Sequence, residues 1–352
     1  MNRRHWSIVV AAGAIATIGW TLHMAAPPGP ISSDEGVHLI LSRALADGAG
    51  YPRDGFRALQ ANAPTTPLVP LLLAAVWRLA PAFPANLPYL TFGSGLSALG
   101  IILVLPAYLS RIGVPAAAAV ASAVLTAASP LVMRQATSIV SALPLGFFLL
   151  LSLLATERAA EPGRRMGAGV LAGACAALIA LTRWLGVPAV VVLGVQLARR
   201  SDRERAAGYC YGAVLTLLPW IVWLVVYGRI EGPDLATLAA SADSLVLGSS
   251  RRLLELPAVT AMAALPGFSE LGRAGSALVA QALVYAVGAA TLVAVAPTRF
   301  GGVVLALLAA SVVVPTVSFP MALTPLLLAA LVATVSPAPT SSGRHLLPAL
   351  VV

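Results

Sequence analysis

The residues best suited to chemistry in this sequence are an acidic pair, Asp34-Glu35, and the histidine that follows it, His38. A carboxylate within hydrogen-bond reach of a hydroxyl group can act as a general base and take its proton. His38 follows Asp34 by four residues, so in a helix the two share a face, where they could help to bind a divalent metal ion. The structural alternative for the acidic pair is helix capping, because the helix dipole favours acids at an N-terminus. The residues alone leave both interpretations open.

Arginines supply the second set of candidates, because a planar guanidinium group matches the oxygen atoms of a phosphate. All 22 basic residues are arginines, and the formal net charge is +9. The four candidates are Arg53, Arg57, Arg134 and Arg183. For Arg53 and Arg57 the alternative is a solvated loop, and for Arg134 and Arg183 it is anchoring at a membrane interface.

The composition decides where such chemistry would take place. Hydrophobic residues make up 59% of the chain and charged residues only 10%, against about 25% charged in a soluble domain. Residues 79–110, 274–298 and 300–343 carry no charged side chain, and about 20 apolar residues cross a bilayer. We therefore expect an all-α, multi-pass integral membrane protein. A soluble enzyme, a disordered regulator and a disulfide-stapled secreted domain are excluded, and the basic balance indicates membrane lipids rather than nucleic acid as partner.

The first outer loop would carry the acidic pair. Helix one is predicted at 6–26, and the polar segment that follows, 27–66, contains a short amphipathic helix at 36–46. The apolar segment 67–80 is too short for a typical span and is predicted to be an interfacial or re-entrant helix that completes an outer loop at 27–85.

The distribution of arginines supports that assignment of 67–80. If this segment spans the membrane, the arginine clusters at 158–165 and 199–205 lie outside. If it stays at the outer surface, both clusters lie inside with Arg3 and Arg4, as the positive-inside rule requires. The predicted spans are then 86–109, 114–131, 139–156, 167–182, 186–198 and 208–228.

The rest of the chain is predicted from hydropathy alone. A second large outer loop occupies 229–273, three more helices occupy 275–297, 301–318 and 320–335, and a tail occupies 336–352. These give about ten transmembrane helices, in a first module (1–228), an outer loop (229–273) and a C-terminal part (274–352).

An ordered series of motifs runs through residues 30–225. It begins with Asp34-Glu35-Gly36, a short helix and Gly50-Tyr51, and continues with the proline- and leucine-rich segment 66–73. This series resembles the first extracytoplasmic loop of the GT-C glycosyltransferases that use polyprenyl-phosphate sugars, in the branch of protein O-mannosyltransferases and the lipid A aminoarabinose transferase. Further motifs follow in the same order. Ser129-Pro130 with Arg134 resembles the second outer loop of that family, and residues 173–186, with Thr182-Arg183, resemble its Thr-Lys/Arg segment. Pro219-Trp220 resembles its Pro-Trp helix.

The resemblance implies a GT-C-like bundle that moves a sugar, with inversion, from a polyprenyl-phosphate donor to a protein, lipid or polysaccharide acceptor. Asp34 would be the base, and Glu35 would orient an arginine or the acceptor. The donor would be bound by His38, Tyr51 and the four candidate arginines. The implied location is a bacterial-type cytoplasmic membrane, with the site facing outside. The family has members with and without a metal ion, so no cofactor is assigned.

This chain departs from the family in its second outer loop. Many relatives carry an acid shortly after the arginine there, whereas 134–144 contains none and has Ser138 and Ser141 in that stretch. Two alternatives to an enzyme therefore stay open: a non-catalytic subunit of the same fold, and a transporter or flippase of lipid-linked substrates. A transporter should carry ionisable residues within its spans, but the acids here are predicted mainly in loops.

Overall fold

The computed structural model describes residues 1–24, 33–50 and 66–226, together with 301–305, 308, 323 and 325–327. Between residues 1 and 226 the described chain forms ten α-helices and one short 3-10 helix, Trp184–Gly186. The α-helices are α1 (Arg3–Met24), α2 (Ser33–Ala46), α3 (Leu68–Leu79), α4 (Leu87–Arg111), α5 (Ala116–Ala128), α6 (Pro130–Ala136), α7 (Ala142–Ala159), α8 (Met166–Thr182), α9 (Val187–Arg200) and α10 (Arg203–Val226).

Several predictions from the sequence fall outside the described residues. They are the site candidates Tyr51, Arg53 and Arg57, the outer loop 229–273, the helix 275–297 and the tail 336–352. The helices at 301–318 and 320–335 are described only in part, and their described residues Val303, Val304 and Leu326 are buried in the main hydrophobic core.

Four of the described helices are long and apolar enough to cross a membrane: α1, α4, α7 and α10. The number rises to five if α5 and α6, which meet at a bend of 59°, count as one broken span. The all-helical prediction is confirmed for the described residues, and these long apolar helices are compatible with a membrane protein. The segment predicted as a short helix at 67–80 is the twelve-residue helix α3.

The predicted continuous helix at 114–131 is wrong in one respect, because it breaks at Ser129. That residue is extended (φ −68°, ψ 119°), and its hydroxyl caps α6 by accepting a hydrogen bond from the N–H of Val132 at 3.5 Å. Pro130 disfavours helical backbone at the residue before it, so α5 ends here and α6 begins in a new direction.

The directions of the helices give the bundle two distinct ends. Gly13 of α1 lies beside Leu99 of α4, whereas Trp20, later in α1, lies beside Gly95, so these two helices are antiparallel. Helix α7 runs parallel to α4, because Val140, just before α7, contacts Ser94 near the start of α4, and Glu161, just after α7, pairs with Arg111 at the end of α4. Phe147 of α7 lies beside Gly100 in between. The N-terminus of α1 therefore lies at the same end as Arg111, and the α2–α3 segment lies at the opposite end. If α3 crossed from one end of the bundle to the other, α1 and α4 would run in the same direction. Their antiparallel arrangement therefore agrees with a helix α3 that stays at one end.

The end that contains Arg111, which we call the arginine end, is tied together by ion pairs. Arg200 donates two hydrogen bonds to Glu157, at 2.7 and 2.8 Å, and Glu161 pairs with both Arg111 and Arg164. The two arginine clusters noted in the sequence thus meet at one end of the bundle, and α1 begins at the same end.

The loop between α9 and α10 completes the arginine end. Arg205 is buried and donates to the carbonyl groups of Ala159 and Glu161, which fixes the start of α10 against the end of α7. The hydrogen bonds from Arg205 hold the pKa of the Asp202 carboxyl below its usual value. This carboxylate stays charged at neutral pH and caps α10 through the N–H of Arg205 at 2.9 Å.

Candidate functional site

The first predicted site element, the acidic pair, opens helix α2. Asp34 and Glu35 lie in the first turn of this helix, one turn before His38. Glu35 is half-buried, and its Oε1 accepts a hydrogen bond from the backbone N–H of Ile139 at 3.0 Å. Ile139 follows α6, more than 100 residues later in the chain. This bond attaches the start of α2 to the second predicted loop.

Helix α2 is also fixed along its length by α3. Leu39 packs in a buried cluster with Val69, Leu73 and Trp77 of α3, and the indole N–H of Trp77 donates to the hydroxyl of Ser42 at 2.9 Å. Because this hydrogen bond is buried, it fixes the rotation of one helix against the other.

The charged groups at the end of α2 strengthen the same contact. The guanidinium of Arg43 lies 5.0 Å from the ring centroid of Trp77 and forms an ion pair with Asp47 at 2.8 Å. Asp47, another acid of the first predicted loop, is thus part of the α2–α3 contact.

The five residues between α6 and α7, Thr137–Ser141, form a linker that meets both sides of the site. Its first two hydroxyl groups bond back to α6, with Ser138 donating to the carbonyl of Arg134 at 2.7 Å. Ile139 then donates its N–H to Glu35, and the hydroxyl oxygen of Ser141 accepts a hydrogen bond from Arg183. Two residues of chain span at most about 7 Å, so the contacts of Glu35 and Arg183 lie close together.

Arg183 reaches this linker from the end of α8. It follows Thr182, the last residue of that helix, in an extended conformation (φ −152°, ψ 132°). Its Nε donates a hydrogen bond to Oγ of Ser141 at 2.7 Å, and the side chain is half-buried. The structure therefore brings together two of the predicted site residues, Glu35 and Arg183, which are far apart in the sequence.

The other described candidates lie around this centre. Arg134 is exposed in the last turn of α6, three residues before the linker. His38 is buried on α2. Among the described residues, no group of three or more His, Cys, Asp and Glu side chains is placed to hold a metal ion.

An apolar groove of about 300 Å³ runs beside the linker. Its walls come from α3, the first half of α4 and the start of α7, and Ile139 and Val140 of the linker also line it. The groove is open to the outside of the bundle, where Leu72, Tyr89 and Phe92 are 54%, 61% and 67% exposed. The walls are almost entirely apolar, and Ser94, Ser97 and Tyr89 are the lining residues with hydroxyl groups.

Two residues at the centre of the site carried no assigned role in the sequence analysis, Ile139 and Ser141. Ile139 acts through its backbone N–H, which every residue except proline possesses, so its side chain gives no signal. Ser141 was noted only as standing where relatives have an acid. The departure at that position was the one signal that pointed to it.

Comparison of the chain with known protein families, with curated proteins and with solved structures found no match.

Proposed function

We propose that this protein is a multi-pass membrane glycosyltransferase with a GT-C-like bundle of about ten transmembrane helices. It transfers a sugar from a polyprenyl-phosphate donor to an acceptor on the extracytoplasmic side. The observation that carries this proposal is the convergence of Glu35 and Arg183 on the Thr137–Ser141 linker, beside an apolar groove.

The groove supports a lipid donor rather than a water-soluble one. Its walls are apolar and its rim carries more than half-exposed aromatic and aliphatic side chains, an environment suited to an isoprenoid chain. Ile139, which lines the groove, also donates its N–H to Glu35 and lies two residues before Ser141, which accepts a hydrogen bond from Arg183. A lipid chain in the groove would bring its phosphate head towards this arginine.

In the proposed reaction, the acceptor hydroxyl oxygen attacks the anomeric carbon of the sugar while the bond from that carbon to the phosphate oxygen breaks. Asp34 takes the hydroxyl proton, and polyprenyl phosphate leaves with the bonding electron pair. Arg183 and Arg134 stabilise the negative charge that develops on the leaving phosphate. A single displacement of this kind inverts the configuration at the anomeric carbon.

The proposed orientation follows from the two ends of the bundle. The arginine end, with Arg3, Arg4 and both arginine clusters, faces the cytoplasm in agreement with the positive-inside rule. The site then opens at the extracytoplasmic surface, where α2 and α3 lie.

The test uses the purified full-length protein in lipid nanodiscs, incubated with a panel of polyprenyl-phosphate hexoses and pentoses and with an extract of cell-envelope acceptors. Release of polyprenyl phosphate is measured for the unmodified protein, for Asp34→Asn and for the matched control Asp47→Asn. Loss of a general base is expected to slow release by about 10²–10⁴-fold in Asp34→Asn. Asp47→Asn should retain the full rate, because Asp47 pairs with Arg43 instead.

Each contrary result removes a definite part of the proposal. Equal rates for the unmodified protein and Asp34→Asn would remove Asp34 as the base. If no donor of the panel is consumed, the protein is a non-catalytic member of the fold. Movement of the intact donor across a vesicle membrane would instead identify a flippase.

A further inference from the structure

Ser141 occupies a position where serine ordinarily has a structural task. It is the residue immediately before α7, and a serine at this N-cap position usually accepts a hydrogen bond from an N–H of the first turn. Ser129 does this for α6. Ser141 does not: it makes no side-chain cap bond, and its backbone is helical (φ −82°, ψ −5°).

The hydroxyl of Ser141 is directed to Arg183 instead. The residue is 2% exposed, so water does not compete for the hydrogen bond of 2.7 Å that it accepts from Nε. A guanidinium group is planar and rigid. One short bond to Nε therefore restricts the orientation of the entire group, including both terminal nitrogens.

The chemical type of this partner matters as much as its position. A carboxylate at residue 141 would bind Arg183 more strongly, but its negative charge would cancel that of the guanidinium. A hydroxyl group at residue 141 orients the arginine and adds no negative charge of its own. The residues from 134 to 144 contain no acid at all, so this linker adds no carboxylate of its own beside Arg183.

We propose that Ser141 is a positioning residue that fixes Arg183 as the group that binds the phosphate of a lipid-phosphate ligand. The inference rests on the proposed function and deepens it by assigning the phosphate-binding element. Ser141 acts through Arg183 and takes no part in bond breaking.

The test compares two ligands that differ only in the phosphate. The dissociation constants of a polyprenyl monophosphate and of the polyprenol of the same chain length are measured with full-length protein in detergent micelles. The proteins are the unmodified chain, Ser141→Ala and the matched control Ser138→Ala, whose hydroxyl bonds the carbonyl of Arg134 rather than Arg183.

We expect Ser141→Ala to raise the dissociation constant of the phosphate ligand by about tenfold, as befits a lost hydrogen bond to a charged group. Its affinity for polyprenol should not change, and Ser138→Ala should resemble the unmodified protein with both ligands. A purely structural role for Ser141 would weaken both ligands equally, and that result would overturn the inference.

Two further variants separate orientation from charge and guard against misfolding. Ser141→Cys is almost the same size as serine, but its sulfur accepts hydrogen bonds weakly, so it should weaken phosphate binding in a fold of unchanged thermal stability. Ser141→Asp should weaken phosphate binding at least as much as alanine, because it adds a negative charge next to Arg183. Tighter phosphate binding by Ser141→Asp would contradict the argument from charge.

The outcome is separable from that of the transfer assay. If phosphate binding depends on Ser141 but no sugar is transferred, the glycosyltransferase proposal fails and the phosphate site stands. If sugar is transferred and Ser141→Ala binds the phosphate ligand normally, the role of Ser141 fails and the enzyme stands. If the unmodified protein binds neither ligand, the inference is overturned.

Discussion

At the scale of single residues, the site depends on a carboxylate that bonds to the backbone. Glu35 accepts the N–H of Ile139, and this bond joins the turn that contains Asp34 to the linker that contacts Arg183. Its role in the proposed reaction is therefore to position neighbouring groups. In that proposed reaction the base is the preceding residue, Asp34.

Removing this bond should have two measurable effects. In Glu35→Ala we expect the amide hydrogen of Ile139 to exchange with solvent about tenfold faster and sugar transfer to fall by a similar factor, because a charge-assisted hydrogen bond is lost. Glu35→Gln retains an amide oxygen that can accept the same bond and should show a smaller effect on both. Hydrogen exchange of the linker peptide and the transfer assay give the two readouts.

The matched control for this change is Asp47→Ala, which removes an acid just after the end of the same helix without touching the linker. Unchanged exchange at Ile139 in Glu35→Ala would show that the carboxylate does not hold the linker in solution.

At the scale of the elements, two parallel helices in close contact carry Arg183 to the site. Helices α8 and α10 have no room for a side chain at several points where they cross. A Cβ atom added to Gly173 would overlap the carbonyl oxygen of Tyr209, and one added to Gly212 would overlap that of Val170. Small residues four apart on both helices, Gly169 with Gly173 and Gly208 with Gly212, allow this approach. The sequence displays this spacing, but spacing alone does not tell which helix is the partner.

An alanine scan of two glycines of α8 tests this contact. Gly173→Ala should destabilise the protein by more than about 1 kcal/mol, because the added methyl group forces the two backbones apart. Gly167→Ala is the control on the same helix, since nothing lies within 4 Å of its added Cβ. Thermal unfolding in detergent measures the difference, and equal midpoints for the two variants would contradict close packing of α8 on α10.

At the scale of the molecule, the two ends of the bundle differ. The arginine end contains an ion pair between α9 and α7 and another between α4 and the turn after α7, while the opposite end contains the α2–α3 segment, the linker and Arg183. The arginine end and the site are thus about one helix length apart, which fits a protein whose two ends face different compartments.

Cysteine labelling in intact cells tests the proposed sidedness. In a background with Cys175 and Cys210 replaced by alanine, Ala82→Cys marks the exposed loop between α3 and α4, and Pro162→Cys marks the exposed turn of the arginine end. A maleimide that cannot cross membranes should label Ala82→Cys in intact cells and Pro162→Cys only after permeabilisation. The reverse pattern would place the site in the cytoplasm and remove the proposed access to extracytoplasmic acceptors.

The sequence by itself determined that the chain forms apolar helices, and it determined their approximate bounds. Hydropathy and charge are local properties of the chain, so α3 and α4 were placed within two residues of the structure. Glu35 and Arg183 were identified as candidates because they fall in motifs that resemble the GT-C family and are predicted on the same outer side. The chemical assignment of Asp34 still depends on the resemblance to GT-C enzymes.

Only the tertiary structure decided how these parts meet. The bond from Ile139 to Glu35 uses a backbone group, and the bond from Arg183 to Ser141 joins residues 42 positions apart. The parallel contact of α8 with α10 likewise arises from packing between segments that are distant in the sequence. Such contacts depend on which helix faces which, and that is fixed by the total packing of the bundle rather than by any local pattern.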